Sequence, residues 1–174
     1  MLVEVKAAHI ALLAVLVPLG PAVAHAGPLA DALARPDNAA IASLRARLPD
    51  VGARCTLGAI YAKRNDLTRA GLYLTDCTDA QLPDEIAEPV GKIARDMKKK
   101  LGDGDLSSIE VSSTPEGLTA ESTALPGEPF VTPATLWVKP GTYEVHTVID
   151  GMIVSSTVTT KVRERGLVAL RAPV

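Results

Sequence analysis

The sequence is poor in aromatic residues, in cysteine and in surplus positive charge. Its 174 residues contain one Trp, three Tyr and one Phe, which is few for a surface that stacks nucleic-acid bases or sugar rings. The 18 Lys and Arg residues are balanced by 20 Asp and Glu, for a net charge of −2. A protein that binds a nucleic-acid backbone normally carries a clustered basic surface, so we expect no nucleic-acid partner.

Motifs that carry catalytic or cofactor chemistry are also absent from the sequence. It contains no glycine-rich phosphate loop, no His-Glu-x-x-His zinc motif, no Cys-x-x-Cys pair and no Gly-x-Ser-x-Gly nucleophile elbow. Asp103 and Asp105 alternate with glycine, but the ligand pattern of an EF-hand calcium loop does not continue from them. We therefore expect no enzyme activity, no cofactor and no metal site.

The longest apolar segment stands at the N-terminus of the sequence. Lys6 precedes an apolar run over residues 7–19, and the small-residue pattern Ala-His-Ala follows at 24–26. The run is too short to cross ~30 Å of hydrocarbon as a helix. The pattern predicts a signal peptide over residues 1–26, cleaved before Gly27, with an uncleaved anchor as the alternative. We expect export to the periplasm or the extracellular space, with no transmembrane segment in the mature chain.

The sequence has two cysteines, Cys55 and Cys77. The residues between them are predicted to form two short helices that meet at Asn65-Asp66, midway between the cysteines. An antiparallel helix pair folded at that turn brings the two sulfur atoms within bridging reach. We predict a Cys55–Cys77 disulfide, in keeping with an oxidising compartment. Two buried free thiols, or a metal pair that lacks its other ligands, are the alternatives.

Residues 27–101 have the pattern of a helical domain. Apolar residues recur at helical spacing after a candidate N-cap at Asp37 or its neighbour. A last helix is predicted from a stripe of apolar residues between Ile86 and Leu101, with Pro89 in its first turn.

The cysteine-bracketed helix pair resembles one tetratricopeptide repeat over roughly residues 51–82. The residues that fall in the family's register, with small ones where two helices approach closely, are Leu57, Gly58, Tyr61, Ala70 and Leu74. Arg54 stands where the family has a leading tryptophan, and Cys77 where it usually has alanine. A lone repeat cannot bury its own apolar face, so the flanking helices are expected to cap it. The resemblance implies a protein-interaction scaffold.

A change of pattern divides the sequence after the helical residues. Glycine and aspartate alternate over residues 102–105, and residues 102–107 are predicted to form a flexible linker. Residues 108–174 have the period-two pattern of β-strands. Tight hairpin turns are predicted at 140–141 and at 150–151. We expect an α+β protein of two segregated domains, a helical bundle followed by a small antiparallel β-sandwich.

The second domain resembles the PEGA domain family over nearly all of residues 108–174. The matching residues are, in order, Pro115-Glu116-Gly117-Leu118, Thr132-Pro133, Leu136, Val138, Pro140-Gly141-Thr142-Tyr143-Glu144-Val145 and Gly151. Leu118 replaces the alanine of the naming motif, Phe130 stands where the family often has glycine, and Met152 where an aromatic residue is common. The resemblance implies an Ig-like β-sandwich of exported bacterial proteins, which binds a partner without catalysis.

One histidine and three aromatic residues are the candidate functional side chains of the second domain. His146 lies on the polar face of its predicted strand, where we expect an exposed residue; the alternative is a small hydrolase that uses it. Trp137 alternates with two core-type neighbours and faces away from them, either as a partner contact or as cover for the helical domain. Trp137, Tyr143 and Phe130 form the predicted binding set.

These features together predict a non-enzymatic, exported PEGA domain protein that acts as an interaction or scaffold module in the bacterial cell envelope. Its partner would be another envelope protein, bound through the helical groove, the sheet edge or both. The alternative is a module that binds peptidoglycan or another wall polysaccharide, although the low aromatic content argues against it.

Overall fold

A computed structural model describes residues 27–172 of the chain. The predicted signal peptide, residues 1–26, lies outside the described residues. The helices within this range are α1 (Pro28–Ala34), α2 (Asn38–Arg45), α3 (Val51–Lys63), α4 (Leu67–Leu74) and α5 (Asp84–Asp103), which together form the helical half. None of these helices in residues 27–172 has the length and apolar character that crossing a membrane requires.

Aspartate side chains cap the N-termini of α2, α3 and α4. Asp37, Asp50 and Asp66 each accept a hydrogen bond from the backbone N–H three residues later, at 2.7, 2.8 and 3.1 Å. Such a bond satisfies a donor that the helix itself leaves unpaired and stabilises the helix by about 1 kcal/mol. The bond from the N–H of Ala53 also lowers the pKa of Asp50. The predicted N-cap at Asp37 is confirmed.

Helices α3 and α4 form the predicted hairpin, which the Cys55–Cys77 disulfide closes. The Cα atoms of the two cysteines are 5.8 Å apart, and both side chains are buried. The chain turns at Asn65, whose backbone lies in the left-handed region with a φ of 59°. The disulfide prediction is confirmed. Gly58 lies directly against α4, so close that a Cβ at this position would be 3.0 Å from the backbone nitrogen of Leu74.

Two β-sheets make up the rest of the described chain, which we call the β half. Its strands are β1 (Ser107–Thr114), β2 (Thr119–Ser122), β3 (Phe130–Val131), β4 (Ala134–Val138), β5 (Gly141–Ile149), β6 (Met152–Thr160) and β7 (Arg165–Arg171). A three-stranded sheet has the order β4-β1-β7, and a four-stranded sheet has the order β3-β2-β5-β6. The pairings are antiparallel, as expected, except that β1 and β7 run parallel.

Side-chain alternation places the core of the β half between its two sheets. On β5, Val145, Thr147 and Ile149 are buried and the residues between them are not. Ile109 and Leu136 enter the same core from the three-stranded sheet and are fully buried. Burying an aliphatic side chain of this size contributes about 2 kcal/mol. The coarse prediction of an α+β chain, helices first and antiparallel sheets second, is confirmed.

The predicted hairpin turn at 140–141 is wrong. Strand β4 belongs to the three-stranded sheet and β5 to the four-stranded sheet, so this turn carries the chain from one sheet to the other. Strand β4 pairs with β1, whereas β5 pairs with β2 and β6, so Leu136 and Val145 enter the shared core from opposite sheets. Asp150 and Gly151, both with positive φ, form the second predicted hairpin turn, between β5 and β6.

Helix α5 extends beyond its predicted bounds. The prediction placed Pro89 in the first turn of this helix. Because α5 begins at Asp84, Pro89 lies beyond the first turn, inside the helix. At its other end α5 takes up residues 102–103 of the predicted linker, so residues 104–106 connect it to β1. Leu106 in this connection packs against the helical core, and its carbonyl accepts a backbone hydrogen bond from Arg163 at 3.2 Å.

The helical half and the β half pack against each other along α4 and β4. Trp137 on β4 is half-buried against the core of the helical half. Its ring lies on Gly71 of α4, where a Cβ would come within 2.7 Å of the ring carbon Cδ1. Glycine at this position therefore permits the contact, and Trp137 has the second of its two predicted roles, as cover for the helical half.

Candidate functional site

A cleft of about 880 Å³ lies between the helical half and the three-stranded sheet. One wall comes from the turn between α2 and α3 and from the end of α4, which includes Tyr73. The other wall comes from β1, β7 and the segment that joins β3 to β4. Its volume is within the ~300–1,000 Å³ that is typical of ligand-binding clefts. Most of the lining residues are apolar.

Two large apolar side chains that line the cleft are exposed. Leu167 on β7 is 70% exposed and Val131 on β3 is 60% exposed. The strand register places Glu110 of β1 between Leu167 and Thr135, so an acidic, a hydroxyl and an apolar side chain share one row of the sheet. Glu110 accepts a hydrogen bond from Arg165. The cleft thus combines an exposed apolar surface with a few polar groups.

Glu128 reaches from the loop between β2 and β3 into the helical half. Its side chain is 3% exposed. Its carboxylate accepts hydrogen bonds from the hydroxyl of Tyr73, the guanidinium of Arg45 and the Nε of Arg69, the last at 3.1 Å. Because these donors belong to α2 and α4, a single carboxylate joins two helices to the β half.

The donors to Glu128 are themselves held by further contacts. Arg45 also donates to the hydroxyl of Tyr61 at 2.7 Å, and Arg69 donates to Asp66 at 2.8 Å. The rings of Tyr61 and Tyr73 stack with their centroids 6.0 Å apart, and the guanidinium of Arg69 lies 5.7 Å from the centroid of the Tyr61 ring. We refer to this cluster as the Glu128 network, which consists of Arg45, Tyr61, Arg69, Tyr73 and Glu128.

Burial and mutual contact shift the pKa values within the Glu128 network. Burial raises the pKa of Tyr73 strongly, and its hydrogen bond to Glu128 raises it further. The pKa of Tyr61 is raised by burial and then by the Glu128 charge. Burial lowers the pKa of Arg45 and of Arg69, but the neighbouring acidic groups and their hydrogen bonds give each a net increase. Two phenols therefore stay neutral and two guanidinium groups stay charged beside the carboxylate.

The Glu128 network positions one wall of the cleft. Tyr73 lines the cleft and donates to Glu128, and the two residues that follow Glu128, Pro129 and Phe130, line the cleft as well. Glu128 itself does not line the cleft, and its carboxylate is turned toward its three donors in the helical half. We therefore assign Glu128 a positioning role and not a chemical one.

The predicted binding set is not brought together in one place. Phe130 is 5% exposed, belongs to the core of the β half and lines the cleft. Trp137 lines a separate pocket of about 220 Å³ beside α4 and α5. Tyr143 is half-buried on β5, and its hydroxyl donates to the carbonyl of Lys139 at 2.8 Å. Of the three, Phe130 is the one that lines the main cleft.

His146 lies on the outer face of the four-stranded sheet, as predicted. Its side chain is 40% exposed, and its Nε2 is 3.6 Å from the Oε2 of Glu121 on β2. Ser155 on β6 is its register partner on the other side. A carboxylate, an imidazole and a hydroxyl-bearing residue thus follow one another across three strands, but on an open sheet surface and not in a site that excludes water.

Within residues 27–172, no group of three or more His, Cys, Asp and Glu side chains is placed to hold a metal ion. The Cys55 and Cys77 sulfur atoms are bonded to each other. The cysteines therefore form the predicted disulfide and not the alternative metal pair.

Sequence reasoning missed the Glu128 network. In the sequence Glu128 stands in a stretch of turn-forming residues, where an acidic side chain normally faces solvent. Its partners Arg45 and Arg69 are 83 and 59 residues away, so no periodicity connects them. The flanking prolines at 126 and 129 are the single local sign that this loop has a defined shape.

The fold and the cleft together describe the architecture of this chain. In this α+β chain, a disulfide-closed helical half covers part of one sheet of a two-sheet β half and leaves an apolar cleft between them. Comparison with models of known protein families and with curated proteins found no match to the chain.

Proposed function

We propose that this chain is an exported, non-enzymatic interaction module of the bacterial cell envelope, whose cleft receives an apolar segment of another envelope protein. The observation that carries the proposal is the 880 Å³ cleft with Leu167 and Val131 exposed in its lining. Covering apolar surface stabilises a complex by about 25 cal/mol for each Å² removed from water. Apolar surface in a concave site is typical of a binding surface.

The finer features of the two halves support the same proposal. We infer that the α3–α4 hairpin is a tetratricopeptide-like unit, with Gly58 at the close contact between its helices. We infer also that the β half is a PEGA-like, Ig-like sandwich, since its motif residues fall in the family's order. Both resemblances imply protein interaction. The Cys55–Cys77 disulfide is typical of exported proteins.

The lining of the cleft favours a protein segment over a polysaccharide. Polysaccharides commonly stack on exposed aromatic rings. The two aromatic residues that line this cleft, Tyr73 and Phe130, are each 5% exposed, which leaves little ring surface for a sugar. Leu167 and Val131 instead offer aliphatic contacts for apolar side chains, and Glu110 offers oxygen acceptors for backbone N–H groups of a bound segment.

Photocrosslinking from the cleft tests this function. A benzophenone amino acid would replace Leu167 in the oxidised chain of residues 27–174, which is then incubated with a bacterial envelope extract and irradiated. Val162 provides the matched control position, because it is 54% exposed but does not line the cleft. We expect one protein to be cross-linked reproducibly from position 167 and not from position 162.

A pair of charge substitutions gives the second arm of the test. Leu167→Glu places a carboxylate in the apolar cleft and should abolish recovery of the partner, whereas Val162→Glu should leave it unchanged. Equal effects of the two substitutions would contradict a binding role for the cleft. Binding of the wild type to purified peptidoglycan that Leu167→Glu abolishes, with no protein recovered, would establish the polysaccharide alternative.

A further inference from the structure

The first residue that the structure describes, Gly27, lies against the beginning of α5. Its backbone is extended, with a φ of −66° and a ψ of 167°, and its carbonyl accepts the first hydrogen bond of α1 from the N–H of Asp31 at 3.0 Å. The carboxylate of Glu85 occupies the space in which a side chain at residue 27 would begin, because a Cβ there would overlap its Oε2. Gly27 and Glu85 are therefore in direct contact.

This contact limits how far the backbone nitrogen of Gly27 can lie from the carboxylate. The nitrogen and a Cβ on the same Cα are about 2.5 Å apart by standard bond lengths and angles. Because the Cβ position overlaps Oε2 of Glu85, the nitrogen of Gly27 lies within about 4 Å of that oxygen. This is the distance within which an ammonium group and a carboxylate form an ion pair.

Packing keeps the start of α1 at this position. Leu29 is 4% exposed in the core of the helical half. A Cβ at Gly52 of α3 would lie 3.0 Å from the Cδ1 of Leu29 and 3.3 Å from the Cδ of Pro83, which precedes α5. The beginnings of α1, α3 and α5 thus meet at one point, and Gly27, two residues before Leu29, is held beside Glu85.

The beginning of α5 carries a negative charge that no basic side chain balances. Asp84, Glu85 and Glu88 lie in its first two turns, and its first basic residue is Lys92. Within residues 27–172, no Lys, Arg or His side chain forms an ion pair with any of these three carboxylates. A cation at the position of the Gly27 nitrogen would therefore meet no competing basic side chain at Glu85.

We propose that Glu85 binds the amino terminus of the processed chain, in which hydrolysis of the peptide bond between Ala26 and Gly27 has freed an ammonium group at Gly27. The hydrolysis, by a signal peptidase, takes up one water; Ala26 keeps the carboxylate, and Gly27 keeps the amine, which is mostly protonated at neutral pH. In the uncleaved chain the same nitrogen is an uncharged amide, so the ion pair forms only after cleavage. This inference rests on the export that the proposed function includes, but not on the cleft, which neither Gly27 nor Glu85 lines.

Glu85 also offsets the effect of the new charge on α1. Gly27 is the N-cap of α1, and a positive charge at a helix N-terminus opposes the helix dipole. The carboxylate of Glu85 neutralises that charge, and its own place in the first turn of α5 is favoured by the dipole of that helix. The ion pair should therefore stabilise α1 in the processed chain.

The pKa of the α-amino group measures this ion pair directly. The oxidised chain of residues 27–174, with Gly27 as its first residue and with ¹³C-labelled glycine, is titrated by NMR. We expect the α-amino pKa to lie about half a unit or more above its ordinary value of about 7.7–8.0, because a neighbouring carboxylate favours the ammonium form. Glu85→Gln should return the pKa to that range. Glu88→Gln, the matched control, removes the same charge from an exposed position of α5 and should leave the pKa raised.

Other charged side chains at the beginnings of these helices are common to the three proteins compared. They are Asp31 and Arg35 of α1, which pair with each other at 3.8 Å, Asp50 and Arg54 at the start of α3, and Asp84 of α5. Because the variants differ only in the charge at residue 85 or 88, the difference between their α-amino pKa values isolates the effect of Glu85.

Acetylation of the Gly27 amine gives the second arm of the test, because it removes the charge without changing a side chain. In the wild type at about pH 6 it should lower the urea midpoint, whereas in Glu85→Gln, where the ammonium opposes only the helix dipole, it should not. The wild-type difference should disappear above about pH 10, where the amine is uncharged in both the folded and the unfolded states. The acetylated wild type keeps the test available if Glu85→Gln does not fold.

An α-amino pKa in its ordinary range would overturn the proposal, and so would a loss on acetylation that is equal in the wild type and in Glu85→Gln. Mass spectrometry of the chain that a bacterial host exports from the full-length precursor identifies its first residue, which should be Gly27. A chain that begins elsewhere would overturn the processing step. None of these outcomes depends on crosslinking from position 167, so this inference and the binding role of the cleft can fail separately.

Discussion

At the scale of single residues, Glu128 has the most demanding environment in the described chain. A carboxylate that is 3% exposed loses most of its hydration, which costs several kcal/mol unless other groups replace the water. Here one hydroxyl and two guanidinium groups donate hydrogen bonds to the carboxylate oxygens of Glu128 in place of water. Hydrogen bonds to a charged acceptor are about twice as strong as neutral ones. The result is a hydrogen-bonded connection between the two halves.

Tyr73 makes this network sensitive to alkaline pH. Burial and the bond to Glu128 raise the pKa of Tyr73 in the folded protein, whereas in the unfolded chain it loses its proton near its ordinary value of about 10. The contribution of Tyr73 to stability is therefore fully present below about pH 10 and is lost as the pH rises further. Tyr73→Phe removes the titrating group together with its hydrogen bond.

We expect Tyr73→Phe to be less stable than the wild type at about pH 8, and this difference to shrink by up to about 1.4 kcal/mol per pH unit above about pH 10. Urea unfolding of both proteins at about pH 8 and about pH 11 measures the difference. A difference that stays constant over this interval would show that Tyr73 ionises alike in the folded and unfolded states. Tyr61→Phe should have the same direction of effect, because the pKa of Tyr61 is also raised by burial.

At the scale of elements, the α3–α4 hairpin depends on a covalent bond as well as on packing. Helix α4 spans Leu67–Leu74, which is short for a helix that must be stable by itself. The disulfide between Cys55 and Cys77, with a sequence separation of 22, restricts the unfolded chain on both sides of the Asn65 turn. The disulfide thus holds the helix pair in its antiparallel arrangement in addition to the packing of the surrounding helices.

Removal of this disulfide should lower the free energy of unfolding by about 3 kcal/mol, the loop-closure value for a loop of this length. The double variant Cys55→Ala, Cys77→Ala and the reduced wild type should both lose stability of this order in urea unfolding. Comparison of the two separates the effect of the bond from that of the missing sulfur atoms, since the reduced wild type retains both. A reduced wild type as stable as the oxidised protein would contradict the prediction.

At the scale of the whole molecule, the two halves should behave as one unit. They are connected by a segment of three residues, 104–106, by the contact of Trp137 with Gly71, and by the Glu128 network. The Trp137 ring at this contact provides a probe of the boundary itself. In the wild type, unfolding followed by Trp137 fluorescence and by circular dichroism should coincide.

Glu128→Gln should weaken the connection between the helical half and the β half. It leaves two guanidinium groups facing a neutral amide, and the free energy of unfolding should fall by about 3 kcal/mol. This is the lower end of the range for a broken buried pair, because the Arg45 side chain is 42% exposed and stays partly hydrated. In the variant, the fluorescence transition of Trp137 should precede the loss of secondary structure.

Glu116→Gln is the matched control for Glu128→Gln. Glu116 lies in an exposed turn of the β half, and its substitution should change stability by less than about 0.5 kcal/mol. If Glu128→Gln destabilised the protein no more than Glu116→Gln, the network would not be what joins the halves.

Much of the local structure could be predicted from the sequence. The Asp37 cap, the turn at Asn65, the Cys55–Cys77 pairing and the alternation along β5 all depend on neighbours in the chain or on a fixed period. The outward position of His146 follows from the same alternation. Interactions of this kind are local, so their signal lies within a short window of sequence.

The sequence by itself determined which part of the chain is helical and which forms strands, which cysteines pair and which face of β5 is buried. The tertiary structure alone decided that β4 and β5 lie in different sheets, that β1 and β7 run parallel, and that Glu128 enters the helical half. The cleft also forms only in the tertiary structure, since its walls come from the helical half and from the β half. Such features join residues that are far apart in sequence, and their energies depend on the packing of the whole molecule, which no local pattern records.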